Sequence, residues 1–312
     1  MTAGYRGRFA PSPTGPLHFG SLVAAVGSYL QARSQDGLWL VRIENLDPPR
    51  ESPTAIDQIL RTLEYFHLYW DEDVLYQSER HPAYTAALKS LEQRGFLYYC
   101  TCSRKDLRIA QPEPAADPEL GVVYPGTCRS RQAAPRQPHC IRIRTNSDPI
   151  VFDDVVQGRF EQNVERTSGD FVLKRRDGLF SYQIAVVVDD AAQGISEVVR
   201  GIDLLGQTAR QIFLQQVLGL PAPAYAHLPI VVDTAGNKLS KQTGAIDVRA
   251  GTGHAPLWQA LKFLRQNPPP ELYGAPAAEL LEWATPRWTI QRLAGVQRGT
   301  IHGINDNPSY DV

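Results

Sequence analysis

A proline-rich segment after residue 10 separates a short strand from a run of apolar residues with helical spacing. Residues 5–9 are short enough for one β-strand, and the prolines that follow exclude helix over residues 11–16. Apolar residues then recur three and four positions apart, which is typical of a helix with one buried face: Leu22, Val23, Val26, Tyr29 and Leu30. This region therefore predicts a strand, a tight loop and a helix whose first amides face the loop.

The same alternation of strands and helices continues over the next hundred residues. Leu38–Ile43 predicts a buried strand, a helix follows it, 79–94 predicts a second helix, and 96–100 predicts a further strand. Strands that alternate with helices favour a parallel, doubly wound sheet. Catalytic groups of such folds lie at the carboxyl ends of the strands, and Arg8 and Glu44 both stand at such positions.

The pattern breaks between residues 100 and 150. Pro, Gln, Ala and Asp crowd residues 111–119, which indicates a loop or an insertion. Beyond it, 150–164 predicts short strands, and 171–178 predicts a hairpin with an Asp-Gly turn. Thr208–Leu218 then predicts a helix.

Composition limits the class of protein. The chain has 312 residues, 43% of them hydrophobic and 21% charged, which is typical of a globular protein with one large domain or two. With 32 Lys and Arg against 33 Asp and Glu, the net charge of −1 provides no overall basic field for nucleic acid. No segment has the pattern of a signal peptide or a membrane span, and four cysteines are too few for a disulfide scaffold. We therefore expect a cytoplasmic protein without membrane contact.

Two motifs carry the candidate chemistry. The first, over residues 8–21, places His18 and Gly20 at the predicted helix amino terminus, where main-chain amides bind phosphates. An ordinary strand-to-helix turn with a surface histidine is equally compatible with this spacing. The second motif is a Gly- and Asn-rich loop with Lys238 and Lys241 on either side of Leu-Ser.

Together, the two motifs resemble the HIGH and KMSKS signatures of class I aminoacyl-tRNA synthetases. The string RFAPSPTGPLHFGS is similar to the glutamyl/glutaminyl subgroup in particular. The resemblance implies an α/β fold, with the class I synthetase Rossmann-type parallel sheet, a zinc-bearing insertion and a short helical C-terminal appendage. Two residues depart from the signatures, since Ser21 replaces the second histidine of HIGH and Gln242 replaces the last serine of KMSKS.

The resemblance also divides the chain into segments. These are 1–99 as the first half of the catalytic domain, 100–150 as the zinc-bearing insertion, 151–248 as the second half with the lysine loop, and 249–312 as a short helical C-terminal region without an anticodon-binding domain. Within the second half, the apolar runs 182–190 and 198–205 are similar to strands of the family's second half-sheet.

A glutamate pocket must offer two cations and one anion, because the substrate carries two carboxylates and an ammonium. Arg8 and Arg200 are the candidate cations, and which of them binds the side-chain carboxylate stays open. The alternative for each arginine is a surface ion pair. Glu44 is expected to bind the ammonium and Tyr182 to hydrogen-bond the substrate. By resemblance, four further residues line this pocket: Phe9, Ala10, Pro11 and Ser12.

ATP is the other expected substrate of this site, accompanied by Mg²⁺. The resemblance implies that His18, Gly20 and the helix amides hold phosphate oxygens. Lys241, supported by Lys238, is expected to neutralise the charge that develops on pyrophosphate. His18 and Lys241 are therefore the candidate catalytic residues.

Three cysteines in the insertion, Cys100, Cys102 and Cys128, could hold one zinc ion with a fourth ligand. Tyr124, His139 and Cys140 are candidates for that ligand, and buried free thiols are the alternative interpretation. The resemblance favours a structural zinc site of four residues, since a short branch of the family uses Cys-x-Cys, a tyrosine and a cysteine four positions later: Cys100, Cys102, Tyr124 and Cys128. Cys140 is interpreted as a core residue of a strand.

The expected acceptor follows from the segment after the lysine loop, where 312 − 241 = 71 residues remain. This length predicts no domain that could bind an anticodon while the tRNA 3′ end is charged. The short branch of the family, which the HFGS and KLSKQ strings resemble, instead esterifies glutamate onto the queuosine base in the anticodon loop of tRNA(Asp). We therefore expect L-glutamate, ATP and queuosine-bearing tRNA(Asp) as partners of a monomer that activates glutamate without tRNA.

Three alternatives stay open. The chain could be a minimal glutamyl-tRNA synthetase that charges the tRNA 3′ end. It could be a nucleotidyltransferase that adenylates a small acid without RNA, or a catalytically inactive RNA-binding module. The intact His18 and Lys241 argue against the inactive module.

Overall fold

The computed structural model describes residues 4–110, 122–131, 133–233, 248 and 253–300. The lysine loop with Lys238 and Lys241 lies outside these residues. The strands are β1 (Arg6–Phe9), β2 (Leu38–Ile43), β3 (Leu75–Tyr76), β4 (Leu97–Cys100), β5 (Cys140–Ile143), β6 (Pro149–Asp154), β7 (Gly158–Asn163), β8 (Val172–Lys174), β9 (Glu197–Gly201), β10 (Ala224–Leu228), β11 (Ile230–Val232) and β12 (Arg298–Thr300). The α-helices are α1 (Phe19–Arg33), α2 (Ala55–Tyr65), α3 (His81–Gln93), α4 (Arg104–Ala110), α5 (Val164–Thr167), α6 (Tyr182–Ala192), α7 (Thr208–Leu218), α8 (Ala255–Phe263) and α9 (Ala277–Ala284).

Parallel pairing dominates the centre of the molecule. β1, β2 and β3 are parallel neighbours, and β10 lies between β6 and β9 and is parallel to both. β7 adds an antiparallel edge to β6. The Ser196 amide donates to the Arg6 carbonyl over 2.9 Å and joins the start of β9 to β1. The predicted parallel, doubly wound arrangement is therefore confirmed.

Residues 97–100 form a strand as predicted, but its predicted place in the parallel sheet is wrong. β4 pairs antiparallel with β5, which pairs antiparallel with β8 in a separate three-stranded sheet. The reason is the burial pattern, because Tyr98 and Cys100 are the fully buried residues of β4 and pack with Tyr124 and Cys128 of the insertion. β4 therefore packs against this cluster and pairs with β5, outside the parallel sheet.

The run 182–190, interpreted as a strand, is the helix α6. Isoleucine and valine favour strands, but a continuous apolar run does not distinguish a strand from a helix that is buried on all sides. α6 packs against α3, α7 and β8, and most of its residues are buried. The helix directs the successive acids Asp189 and Asp190 to two different groups of partners.

The predicted C-terminal helices are present, and they pack into the same core as the first half of the chain. α8 lies against α1, and Leu257 and Leu280 belong to the cluster that contains Leu22. The indole of Trp288 donates to the Gln31 side chain over 2.7 Å. β12 pairs parallel with β11. This region is therefore built into the main body of the fold.

None of the helices in the described part of the chain combines the length and the hydrophobicity that crossing a bilayer requires.

Candidate active site

Buried polar side chains follow one edge of the parallel sheet, at the carboxyl ends of its strands. Asp154 ends β6, His227 and Arg200 stand one residue before the ends of β10 and β9, Arg8 stands one residue before the end of β1, and Glu44 follows β2. Asp154, His227 and Arg200 lie on the neighbouring strands β6, β10 and β9, and Arg8 and Glu44 lie on β1 and after its neighbour β2. The structure therefore brings Arg8, Glu44 and Arg200 to one edge, as the sequence predicted.

Arg8 is held by an acid that the sequence did not single out. Its Nε donates to Asp190 Oδ1 over 3.1 Å, and Nη1 of Arg42 donates to the same oxygen over 2.7 Å. Arg42 also lies 3.4 Å from Glu44 Oε1. Arg8, Arg42 and Asp190 are buried, and the side chain of Glu44 is 9% exposed. The sequence feature that could have identified Arg42 is its position as the charged residue inside the apolar strand Leu38–Ile43.

The charges in this group balance. Burial raises the pKa of Asp190, but Arg42 and Arg8 outweigh it and leave the pKa below its ordinary value. Burial raises the pKa of Glu44 against the opposing effect of the same two guanidiniums. Two guanidiniums thus face two carboxylates, and Arg8 shares the Asp190 carboxylate with Arg42.

Arg200 has a different environment, because its side-chain partners are all neutral. Nη1 donates to Gln211 Oε1 over 2.9 Å and to the Tyr182 hydroxyl over 3.2 Å, and Nη2 donates to Thr208 Oγ1 over 2.9 Å. Among the described residues no carboxylate lies within ion-pair distance of Arg200, whereas Arg8 and Arg42 have such partners. Its positive charge is therefore not neutralised within the described site.

Tyr182 lies beside Arg200. Its hydroxyl accepts from Arg200, and burial raises the pKa of Tyr182 against the opposing effects of Arg200 and Arg8, while Glu44 adds to the increase. Tyr182 therefore lies in contact with Arg200 and near enough to Arg8 and Glu44 for their charges to affect its pKa. Tyr182 reaches this position because it is the first residue of α6.

His227 is a site residue that the sequence interpretation missed. Its Nε2 lies 3.0 Å from Arg200 Nε, and its Nδ1 lies 2.5 Å from Asp154 Oδ2. Burial, with the nearby Arg200, lowers the pKa of His227 to about 4, against the opposing effects of Asp154 and Asp203. The signal was a histidine within the apolar strand that precedes the lysine loop.

Asp154 is itself fixed by the main chain. Its Oδ1 accepts from the amides of Val156, Gln157 and His227, at 3.0, 2.9 and 3.1 Å. Burial raises the pKa of Asp154, but the contacts with His227 and these amides hold the pKa below its ordinary value. Asp154 is therefore an anion that accepts a hydrogen bond from the protonated Nδ1 of His227.

The amino-terminal loop lies against the same edge. The Glu44 amide donates to the Pro11 carbonyl over 3.0 Å, so the loop that contains Ala10 and Ser12 is tied to the end of β2. Phe9 is buried and stacks on Trp39, with ring centroids 6.3 Å apart. Phe9 therefore contributes to the core beneath the predicted pocket.

His18 is the residue that caps α1. Its Nδ1 accepts from the Ser21 amide over 3.3 Å, and its Nε2 lies 3.1 Å from Ser21 Oγ. Gly20 is the second residue of the helix, as predicted. The serine that replaces the second histidine of the HIGH signature thus orients the first one. Lys238 and Lys241, the other predicted phosphate-binding residues, lie outside the described residues.

A cluster of thiols lies in the insertion. The sulfurs of Cys100, Cys102 and Cys128 lie within 4.8 Å of one another. The Tyr124 hydroxyl is 3.4 Å from Cys100 Sγ and 3.8 Å from Cys102 Sγ, and it accepts from the Cys128 amide over 2.8 Å. The four predicted ligands therefore come together. Three sulfurs and a phenol oxygen are a donor set that could hold a metal ion such as zinc.

The surroundings of this cluster favour a thiolate. Hydrogen bonds from Cys140, Tyr124 and Arg142 lower the pKa of Cys100 to about 3, against the effect of burial. Cys140 lies in the strand β5 and is buried, as predicted, and its contact with Cys100, together with burial, raises its pKa. The Arg142 guanidinium lies 3.9 Å from the centroid of the Tyr124 ring. A cation thus lies beside the anionic ligands that a metal requires.

Gly169 determines where Tyr124 can lie. Its φ of +63° belongs to the left-handed region, and a Cβ at this position would come within 2.7 Å of the main-chain nitrogen and oxygen of Tyr124. A residue with a side chain would therefore displace the main chain that carries a predicted metal ligand.

A separate cavity of about 490 Å³ lies at the opposite ends of the strands. Its lining includes Tyr5, Glu197 and Ala224, which precede β1 or begin β9 and β10. Ligands of open parallel sheets bind beyond the carboxyl ends, so this cavity is not the candidate active site.

Comparison with known proteins gives the following matches. Residues 5–256 match the family of tRNA synthetases class I (E and Q), catalytic domain. A glutamyl-Q tRNA(Asp) synthetase of Dechloromonas aromatica is 54% identical over 293 residues, which cover 94% of this chain and 97% of that protein. A glutamyl-Q tRNA(Asp) synthetase of Pseudomonas aeruginosa is 49% identical over 293 residues, which cover 94% of this chain and 96% of that protein.

Two solved structures share the fold. A glutamate-tRNA synthetase from Elizabethkingia anophelis aligns with a TM-score of 0.80 at 23% identity, covering 96% of this chain and 68% of that one. A glutamate tRNA ligase from Elizabethkingia meningosepticum in complex with its amino acid aligns with a TM-score of 0.76 at 25% identity, covering 95% of this chain and 67% of that one. The predicted synthetase fold is confirmed.

The neutral state of His227 predicts a loss of stability in acid. Because its pKa is about 4 in the fold and 6.5 in an unfolded chain, the unfolded state binds more protons between these values. Stability from this group is therefore complete above pH 6.5 and is lost as the pH falls toward 4. We expect His227 to account for about 2 kcal/mol of the decrease in unfolding free energy between pH 7 and pH 5.

Urea unfolding at both pH values measures this difference in the wild type, in His227→Gln and in the control His254→Gln. The control removes an imidazole that contacts only the Tyr65 carbonyl and neighbouring rings among the described residues. His227→Gln should lose less stability on acidification than the wild type, and His254→Gln should follow the wild type. An unchanged pH dependence in His227→Gln would contradict the neutral assignment.

Proposed function

This chain belongs to the class I tRNA synthetases (E and Q), and we propose that it activates L-glutamate with ATP and transfers the glutamyl group to queuosine in tRNA(Asp). The observation that carries the first half of this proposal is the set Arg8, Glu44, Tyr182 and Arg200 at one edge of the sheet. The second half is supported by relatives that are about half identical over nearly the whole chain and are named glutamyl-Q tRNA(Asp) synthetases.

Glutamate is the amino acid that suits this pocket. Arg200 and Arg8 supply guanidiniums for its two carboxylates, since such pairs form two parallel hydrogen bonds. Glu44 accepts from the ammonium, and Tyr182 donates to or accepts from the substrate beside Arg200. Ala10, Pro11 and Ser12 close one side of the pocket, and Phe9 supports them from the core.

Activation joins the α-carboxylate of glutamate to the α-phosphorus of ATP and releases pyrophosphate. Class I synthetases use ATP, and this step depends on positioning and on neutralising charge. His18 and the amides at Gly20 hold phosphate oxygens at the start of α1. Lys241, with Lys238, neutralises the leaving pyrophosphate, and Mg²⁺ accompanies the nucleotide.

The metal of the insertion is zinc in this proposal, held by Cys100, Cys102, Tyr124 and Cys128. Zinc prefers four ligands in tetrahedral arrangement, and thiolates dominate its structural sites. A closed set of four protein ligands leaves no position for a substrate, so the ion has a structural role and takes no part in activation.

The acceptor is tested with labelled glutamate, ATP and three tRNAs: tRNA(Asp) with queuosine, tRNA(Asp) without it, and tRNA(Glu). We expect label only on the queuosine-bearing tRNA(Asp), and we expect pyrophosphate exchange with glutamate in the absence of any tRNA. Label on tRNA(Glu) would instead indicate a minimal glutamyl-tRNA synthetase. Exchange without transfer to any tRNA would indicate an enzyme that adenylates a small acid.

Lys241 provides the test of the activation step. Removal of one preorganised charge at a transition state costs about 3–4 kcal/mol, so Lys241→Ala should slow pyrophosphate exchange roughly a hundredfold to a thousandfold. Lys89→Ala, which removes an exposed lysine from α3, is the matched control and should leave the rate within about twofold. A loss below about threefold in Lys241→Ala would exclude the proposed role.

The zinc site is tested by metal analysis of the purified protein. We expect one zinc per chain in the wild type and a large loss in Cys102→Ser, because a neutral hydroxyl replaces a thiolate ligand. Cys140→Ser is the control within the same cluster and should retain the metal, since Cys140 lies outside the group of three sulfurs. Wild-type protein without zinc would mean that these cysteines are structural thiols.

A further inference from the structure

The two arginines of the pocket are supported in opposite ways. The guanidinium of Arg8 shares the Asp190 carboxylate with Arg42, so an anion neutralises it within the protein. The guanidinium of Arg200 instead donates to five neutral groups: Tyr182, Gln211, Thr208, the Leu204 carbonyl and His227. The support of Arg200 thus fixes its direction without reducing its charge.

His227 is the partner whose neutrality depends on its own surroundings. An imidazole can accept from Arg200 Nε only if its Nε2 carries no proton, which places the remaining proton on Nδ1. Asp154 enforces this arrangement, because its Oδ2 lies 2.5 Å from Nδ1 while its Oδ1 is occupied by three main-chain amides. Asp154 and His227 are both fully enclosed, so water cannot substitute for either contact.

We infer that His227 and Asp154 are positioning residues that hold the Arg200 guanidinium in place and leave its positive charge for a carboxylate of the substrate. This inference rests on the proposed function, because it assigns to Arg200 a carboxylate of glutamate. A carboxylate in the place of His227 would hold Arg200 equally well, but it would neutralise the guanidinium, as Asp190 does for Arg8. A neutral acceptor with a fixed tautomer meets both requirements.

The arrangement also predicts which substrate the pocket excludes. An unneutralised, buried guanidinium is costly unless a carboxylate reaches it, and the amide of glutamine cannot supply that charge. We therefore expect activation of glutamate over glutamine to depend on the state of His227 as well as on Arg200.

The decisive variant is Asp154→Asn. An asparagine oxygen can still accept from the three main-chain amides, but its NH₂ group faces Nδ1 and selects the tautomer with the proton on Nε2. That proton then points at the N–H of Arg200 and displaces the guanidinium. Misplacement by about 1 Å costs about a hundredfold, so the KM for glutamate should rise about tenfold to a hundredfold, with the KM for ATP within about twofold.

His227→Gln separates the tautomer from the contact itself. The glutamine side chain offers Arg200 a neutral oxygen and has no tautomers, so its KM for glutamate should rise less than that of Asp154→Asn. In the double variant Asp154→Asn/His227→Gln there is no imidazole whose tautomer the asparagine could change. Its KM for glutamate should therefore lie within about threefold of that of His227→Gln alone. A purely structural role for Asp154 would instead add its cost in both backgrounds.

Asp153→Asn is the matched control, because Asp153 is the exposed neighbour of Asp154 on the same strand. Its kinetic constants should equal those of the wild type, and thermal unfolding of every variant establishes that the fold is retained. Pyrophosphate exchange is measured for each protein with glutamate and with glutamine. Asp154→Asn should reduce the preference for glutamate, while Asp153→Asn should not.

The outcomes separate this inference from the function on which it rests. If the wild type does not activate glutamate, the proposed function fails. If the wild type activates glutamate but a folded Asp154→Asn keeps its KM for glutamate within about threefold, the positioning role is wrong and the proposed function stands. Effects of equal size on kcat, on the KM for glutamate and on the KM for ATP, additive between Asp154→Asn and His227→Gln, would likewise overturn the positioning role.

Discussion

The interaction on which the site depends is the contact of two buried guanidiniums with one carboxylate oxygen of Asp190. Burial of charged groups is costly unless each finds an opposite charge, and loss of one partner leaves the others uncompensated. Arg8 and Arg42 lie on neighbouring strands, and Asp190 reaches them from the helix α6. The ion pairs therefore fix the position of that helix against the sheet, and with it Tyr182 at the helix start.

The remainder of the edge is arranged so that not every charge is cancelled. Arg8 belongs to a group with Arg42, Asp190 and Glu44, whereas Arg200 has neutral partners. One of them, His227, is held in turn by the anion Asp154. A pocket for an amino acid with two carboxylates needs such a difference, because a fully neutralised site would attract no anion. Along the carboxyl ends of β6, β10, β9, β1 and β2, these groups are Asp154, His227, Arg200, Arg8 and Glu44.

The insertion has its own antiparallel sheet and its own polar contacts. Its three-stranded antiparallel sheet carries Tyr98 and Cys100 toward the thiol cluster, and the Tyr98 hydroxyl donates to Asp170 over 2.7 Å. Asp170 also accepts from the amide and the hydroxyl of Thr145, so a network of polar contacts holds β4, the 145 region and the Gly169 turn together. Within the described part of the chain, these polar contacts involve none of Arg8, Glu44 and Arg200.

The sequence by itself determined the groups that are local in the chain. Strand β1, His18 at the start of the following helix and Glu44 after β2 follow from patterns within one or two elements, because proline and helix periodicity act over a few residues. The residues alone gave three candidate cysteine ligands, and the resemblance to a family gave Tyr124 as the fourth. The tertiary structure decided the contacts between distant segments. Asp154 and His227 are 73 residues apart, and Arg8 and Asp190 are 182 apart, so only strand order and helix packing bring them together. The apolar run of α6 and the strand β4 were misinterpreted for the same reason, since burial on all sides hides the local period and a strand's partner is chosen by the core it faces.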